Sequence, residues 1–442
     1  MTATFDLLVI GADEASFSAA AVAARSGASV AIIRLKKQKN KDVSFCDMPN
    51  FVWRRLDLHE YGLSLERISA RVTLAPDGET VVTHESVRET KAALAENSKQ
   101  DHLMWPSFVH DMNASEAAGE LRDAAAGAWL NGGAGFSLFT GGVREFSALG
   151  QATGSCIAML DDYLGDDALK AHVAAHALSS SGLGGAEPGS ALALSEFFDE
   201  HAWRVRADED SPSLLSTLET VCNDSGVEFF AKDITDVSRE GGKQIAASLR
   251  GGEKIKARYV LFASPDAAQK AGMRASVSPL AGHGAAKAVL RIVLKNKMPP
   301  AAEDDKAVFQ ILDGLGDLQA ARDAALDGKL PEALPIEFEH APNGDIIVRT
   351  SYCPASFREE DGWREWTGQD RQAVTRLMID QLSSRIPGFA ANVRKTKLEV
   401  IGAASPERPS AFTGIENVIV QPNRHNAVAA AVRMVDRMLA GD

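Results

Sequence analysis

Cysteine is scarce in this chain: four in 442 residues, at Cys46, Cys156, Cys222 and Cys353, with no CxxC spacing. That pattern excludes a disulfide scaffold and a thiolate metal cluster, and it predicts small buried hydrophobes in a reducing compartment. Long apolar runs are missing too. No stretch supplies the roughly 18 apolar residues that span a bilayer. The opening MTATFDLLVIGADEAS lacks the basic region and cleavage site of a signal peptide, so the expected location is the cytoplasm. Positive charge is in deficit, 47 basic against 60 acidic residues and a net charge of -13. An acidic surface repels phosphates, which argues against general nucleic-acid binding. Catalytic signatures are also absent: the chain holds no GxSxG, no HExxH and no EF-hand loop.

What remains is an ordinary globular composition, 45% hydrophobic and 24% charged. At about 100–200 residues per domain, the length predicts two or three folded units. The clearest local signal stands at the start. Phe5 to Ile10 is a short apolar run, Gly11 follows at once, and Ala15 to Arg25 is alanine-rich and helix-favouring. Gly27 ends that helix and Ser29 to Ile33 is a second β-branched strand. Strand, tight turn, helix and strand within about thirty residues make a βαβ unit that opens a Rossmann-like fold.

A dinucleotide fingerprint has three glycines, for the turn, for the approach of backbone to pyrophosphate, and for helix–strand contact. The register here gives Gly11, Asp13 and Ser16, with Ala12 between the first two. Ser16 is small enough to serve. Asp13 adds a negative side chain where a phosphate would meet backbone. At ~4 Å and an effective dielectric of about 20, repulsion from one phosphate charge is on the order of 4 kcal/mol. The second strand would normally end in an acid that binds ribose hydroxyls. It ends instead in Arg34, followed by the basic run Lys36 to Lys41. An arginine there suits a 2'-phosphate, but such a site would still need the glycine loop.

The order of segments resembles the phytoene desaturase-related FAD oxidoreductases, a branch of the amine-oxidase-type flavoproteins, in pieces across nearly the whole chain. Met48 to Leu65 resembles the segment after the first βαβ unit, and Leu74 to Ser86 the hairpin that follows. Met159 to Gly184 resembles helices of the substrate domain; Ser225 to Lys243 and Lys254 to Gly272 resemble returning strands of the FAD domain. Gly284 to Pro299 and Leu318 to Pro335 resemble the antiparallel sheet and its helix, and Gly414 to Val420 with Ala427 to Leu439 the closing strand and helix. The resemblance implies an α/β fold with a Rossmann-like FAD/NAD(P)-binding domain and a discontinuous substrate domain of antiparallel sheet plus helices. Expected boundaries are 1–75, 207–272 and 405–442 for the first, and 76–206 and 273–404 for the second.

Carried over by position, the family's FAD contacts fall on Gly11, Ala12, Asp13, Ser16, Arg34 and Ile234, and most depart from the pattern. The later glycine loops become Ala207 to Ser213, which is acidic, and Gln421 to Ala427, where Pro422 removes a backbone donor. The expectation is therefore a fold retained with FAD absent or weakly bound, acting as a non-catalytic binding or structural subunit with a protein partner or in an oligomer. The alternative is an active FAD-dependent oxidoreductase or desaturase on an apolar or amine substrate. No catalytic residue is assigned, because in this family the flavin performs the chemistry. His172 and His176 stand at i and i+4, a spacing open to metal, but with no third ligand a packed helix face is favoured and no metal is expected. The acidic group Asp161, Asp162, Asp166 and Asp167 brackets a turn at Gly165 and is read as a helix terminus with acidic residues at the following helix N-terminus. Trp363 and Trp366, near Tyr352, are read as core or interface anchors. Lys36 to Lys41 and the glycine-rich Asn131 to Phe146 are candidate contact loops.

Overall fold

A computed structural model describes residues 3–34, 47–63, 65–67, 70–75, 80–113, 154–179, 182–191, 193–194, 202–205, 212–240, 244–262, 268, 285–296, 306–341, 344–401, 418–420 and 427–440. The candidate loops Lys36 to Lys41 and Asn131 to Phe146, and the segments Ala207 to Ser213 and Gln421 to Ala427 apart from their last residues, lie outside them.

The βαβ unit forms as expected. Strand β1 (Ala3–Ile10) leads into helix α1 (Glu14–Arg25) and then β2 (Val30–Ile33). Every residue of β2 is buried, as for a strand covered on both faces. The helix ends at Ser26, with Gly27 at φ 94°, a left-handed conformation that favours glycine. The chain then leaves for a second sheet through the antiparallel hairpin β3 (Ala70–Leu74) and β4 (Thr80–His84). Helices α2 (Cys156–Tyr163) and α3 (Asp167–Leu178) follow.

The return to the first sheet runs through α4 (Leu214–Asp224), β5 (Glu228–Phe230), β6 (Ile234–Arg239), β7 (Ile245–Leu249) and β8 (Lys254–Phe262). The second sheet resumes with β9 (Ala285–Leu294), β10 (Val308–Ile311), helix α5 (Leu315–Leu326), β11 (Ile336–His340), β12 (Ile346–Pro354), helix α6 (Gly368–Arg385) and β13 (Val393–Ile401). Strand β14 (Val418–Val420) and helix α7 (Ala427–Ala440) rejoin the first sheet.

The first sheet has the order β5-β2-β1-β8-β7-β6, with β14 also paired to β8. Its β1, β2, β5, β8 and β14 pairings are parallel, while β7 pairs antiparallel with β6 and β8. The second sheet has the order β13-β9-β12-β11-β10-β3-β4 and is antiparallel except where β3 meets β10. Strand β3 lies within the 1–75 segment expected in the first unit, yet it pairs in the second sheet.

Cores divide accordingly. One face of the first sheet is packed by α1, α4 and α7, through Phe17, Ala20, Val22, Leu218, Val221, Val432 and Val435. Its other face gathers Leu8, Ile10, Ile33, Ile234, Val260 and Phe262. The second sheet shares its core with α3, α5 and α6 through Val173, Leu318, Met378, Leu290, Phe338 and Val348. Among the described residues, no helix is long and apolar enough to cross a membrane.

Candidate functional site

The turn between β1 and α1 brings Gly11, Ala12, Asp13 and Ser16 together at the N-terminus of α1. Gly11 N–H donates to the Ile33 carbonyl at 3.1 Å, tying the turn to the end of β2. An α-helix begins with backbone N–H groups that lack partners, and these make its N-terminus an anion site. Here the anion is the chain's own. Asp13 is the N-cap; its Oδ1 accepts the Ser16 N–H at 2.8 Å and the Ser16 hydroxyl at 2.6 Å. The Ser16 hydroxyl also lies 3.5 Å from Asp13 N–H, closing a capping box. Asp13 keeps some exposed surface, yet loss of hydration raises its carboxyl above the ordinary range, opposed in part by the bonds from Ser16.

Arg34 continues from β2, and its N–H donates to the Phe230 carbonyl at 2.8 Å. Its guanidinium is held from two sides. Nη2 reaches Glu219 Oε1 of α4 at 2.6 Å, while the guanidinium carbon sits 4.4 Å from the Phe229 ring centre and 5.5 Å from that of Phe17. The two rings meet edge to face at 6.1 Å. The cation is thus neutralised by a carboxylate and stacked on aromatic faces. Cys222, one turn along α4 from Glu219, directs Sγ at the Phe17 carbonyl at 3.2 Å, and burial pushes its thiol up to about 12. That thiol is a packing group and not a nucleophile. Ile234 opens β6 with its side chain in the core beneath the sheet, and no hydrogen bond or ring contact links it to the turn.

Sequence reasoning missed Glu219, Phe17 and Phe229 as neighbours of Arg34. Glu219 is 185 residues away along the chain, so no spacing rule could find it. Phe17 directly follows the third fingerprint position, and that adjacency was the one legible clue.

The other constellations resolve into packing. Asp166 caps α3 and its Oδ1 accepts the Leu169 N–H at 2.7 Å, while Asp161 and Asp167 pair with Lys170. The Gly165 turn is fixed by Asp101, whose carboxylate accepts the N–H groups of Gly165 and Asp166 at 2.6 and 3.0 Å. His172 and His176 are buried, with ring centres 4.7 Å apart. His172 is clamped between the hydroxyls of Thr73 and Thr83, each 2.8 Å from a ring nitrogen. Burial, with the charge of Arg71, depresses the imidazole to about 3, so the ring is neutral. Among the described residues, no group of three or more His, Cys, Asp or Glu could hold a metal. Trp366 is an anchor, donating to the Pro354 carbonyl at 2.9 Å, whereas Trp363 is exposed.

No family model matches the chain, and no curated protein matches it. Solved structures do match over the whole length. A redesigned putrescine oxidase, altered in cofactor binding, is 13% identical with a TM-score of 0.56 and 100% of each chain covered. A Rab GDI from Plasmodium falciparum is 7% identical, with a TM-score of 0.53 over 100% of this chain and 99% of that one. Cyclohexylamine oxidase from Brevibacterium oxydans IH-35A is 10% identical, with a TM-score of 0.51 over 99% of each. At these identities the likeness speaks for fold alone: the chain, with its Rossmann-like sheet and a second seven-stranded sheet, shares the fold of two amine oxidases and of a Rab GDI.

Proposed function

We propose that this chain is a flavoprotein-fold protein without tight FAD binding, acting as a non-catalytic binding or structural subunit in the cytoplasm. The observation that carries the reading is the Asp13 carboxylate on the N-terminal donors of α1. A diphosphate at that helix end would have to displace it from Ser16 or lie against it. The helix end offers an anion about 0.3–2 kcal/mol. Repulsion on the order of 4 kcal/mol, at ~4 Å and a dielectric of about 20, outweighs that gain. Support also comes from Arg34, whose charge is already answered by Glu219 and two aromatic rings. With Asp13 on the helix end and Arg34 paired to Glu219, the residues at this turn do not fit a diphosphate. One of the similar folds is named a Rab GDI and not an oxidase, which agrees with a binding role.

The second reading, an FAD-dependent oxidoreductase on an apolar or amine substrate, has one observation in its favour. Desolvation raises the Asp13 pKa, and a neutral carboxyl would not repel phosphate. Visible absorption separates the two. Protein incubated with excess FAD at neutral pH and desalted is expected to show no flavin band near about 450 nm. A stoichiometric band in protein as purified would end the non-catalytic reading and require a substrate screen.

A further inference from the structure

The second sheet carries a concave surface that the turn at α1 does not involve. Helix α6 lies on the core face of that sheet, with Val374, Met378 and Leu382 buried. Where α6 passes β13, its residues Arg371, Thr375, Arg376 and Ile379 line an open groove of about 480 Å³ with Thr396 and Leu398 of the strand. Clefts that take small ligands run to about 300–1,000 Å³. Residues 371 to 379 span about 12 Å of helix axis, so the groove is longer than a simple ion needs.

Its chemistry is of two kinds. Ile379 and Leu398 give an apolar lining, and the aliphatic stems of the arginines extend it. All the charge in the lining is positive: the guanidiniums of Arg371 and Arg376, with no carboxylate between or beside them in the groove. Asp370, next to Arg371 in the chain, is taken instead by Arg364 at 2.6 and 3.0 Å. Arg371 stands beside Trp366, its guanidinium carbon 5.9 Å from the ring centre, and that ring is fixed by the bond from Trp366 to the Pro354 carbonyl. Thr375 donates its hydroxyl to the Arg371 carbonyl at 2.8 Å. Alternation along β13 sends Lys395, Lys397 and Glu399 to the other face of the strand, so they take no part. Two cations facing one apolar cleft repel each other, and this charge runs against a chain of net charge -13. A bound anion relieves the repulsion.

We propose that the groove between α6 and β13 binds a single-chain amphiphilic anion. Its carboxylate head is held by Arg371 and Arg376, whose planar forks of N–H donors match a carboxylate. The Thr396 hydroxyl is an uncharged donor nearby, and a medium-length alkyl tail lies over Ile379 and Leu398. Arginines on an ordinary solvated helix face would hold an anion without regard to its tail. A cleft working through apolar contact alone would take the alcohol as readily as the acid. The groove is built from second-sheet elements only, so this site goes beyond the reading of the α1 turn and does not depend on it.

The test is isothermal titration calorimetry of the full chain with octanoate at low salt. Saturable one-to-one binding is expected, with octanol and acetate each binding about tenfold or more weakly because each lacks one half of the ligand. Arg371 and Arg376 are exposed, so Arg371→Gln/Arg376→Gln should leave circular dichroism unchanged while weakening octanoate by about tenfold or more. Thr396→Asp, which sets a carboxylate in the groove, should do the same by a separate route. Lack of saturable octanoate binding would overturn the proposal, as would full affinity in both variants. Octanol binding as tightly as octanoate would show that charge plays no part, and acetate doing so would reduce the groove to an anion site without a tail; either result ends the proposal. Retention on phosphatidylserine vesicles with no binding of free octanoate would end it as well.

Discussion

Asp13 performs two opposed tasks: it caps α1 as a good N-cap residue should, and it does so as a desolvated charge. The sign of its pH effect follows. The unfolded chain ionises Asp13 in the ordinary carboxylate range, whereas the folded chain holds the proton to higher pH. Ionisation therefore costs the folded state stability above that range, and the cost is relieved as pH falls through the raised value. Asn caps as well as Asp without the charge. Asp13→Asn is thus expected to match or exceed the wild type in urea midpoint at pH 7, with the gap closing toward about pH 4. Asp13→Ala should lose about 1 kcal/mol with the cap. Asp13→Gly with Ser16→Gly, which restores the glycine pattern, should raise FAD affinity by about tenfold or more, read by flavin fluorescence quenching.

His172 has the opposite sign. Its imidazole is held at about 3 in the folded chain against about 6.5 unfolded. The unfolded state therefore takes up a proton first, and stability falls as pH drops from about 6.5 toward 3. His172→Gln should flatten that decline in urea midpoints while costing stability at pH 7, because two threonine hydroxyls share one smaller partner.

At the scale of elements, α1 shows what its small residues are for. Ala19, Ala20, Ala21 and Ala23 are wholly buried, and α1 packs against both α4 and α7. Any of these positions taken to leucine would force neighbouring helices apart. Ala20→Leu is expected to cost about 1–3 kcal/mol by thermal or urea unfolding. The α1 and β2 limits were legible to within a residue, Ala15 to Arg25 against Glu14–Arg25 and Ser29 to Ile33 against Val30–Ile33. Alanine content, a terminal glycine and β-branched runs act locally, so sequence neighbours suffice to set them. The parallel pairing of β3 with β10 was not legible. It joins Arg71 to Val308 and Leu74 to Ile311 across distant segments, and a short amphipathic strand carries no mark of its partner.

At the scale of the whole molecule, the first sheet is assembled from three separated stretches of chain. Its closing pieces, β14 and α7, supply a parallel neighbour for β8 and the apolar side chains Val428, Ala431, Val432, Val435 and Met438. Removing residues 418–442 would uncover the alanine face of α1. The shortened chain is expected to lose its cooperative unfolding transition and to aggregate, as followed by circular dichroism and light scattering.

The sequence by itself determined the opening βαβ unit, the departure of Asp13 and Arg34 from a dinucleotide pattern, and the N-terminal role of the acidic group around Asp166. Each depends on residues within a few positions of one another. Only the tertiary structure decided that Glu219, Phe17 and Phe229 take up Arg34, that Thr73 and Thr83 close on His172, and that β3 pairs with β10. Those outcomes depend on which distant segments share a core. The energy that brings them together comes from non-directional apolar burial, which leaves no spacing in the chain to read.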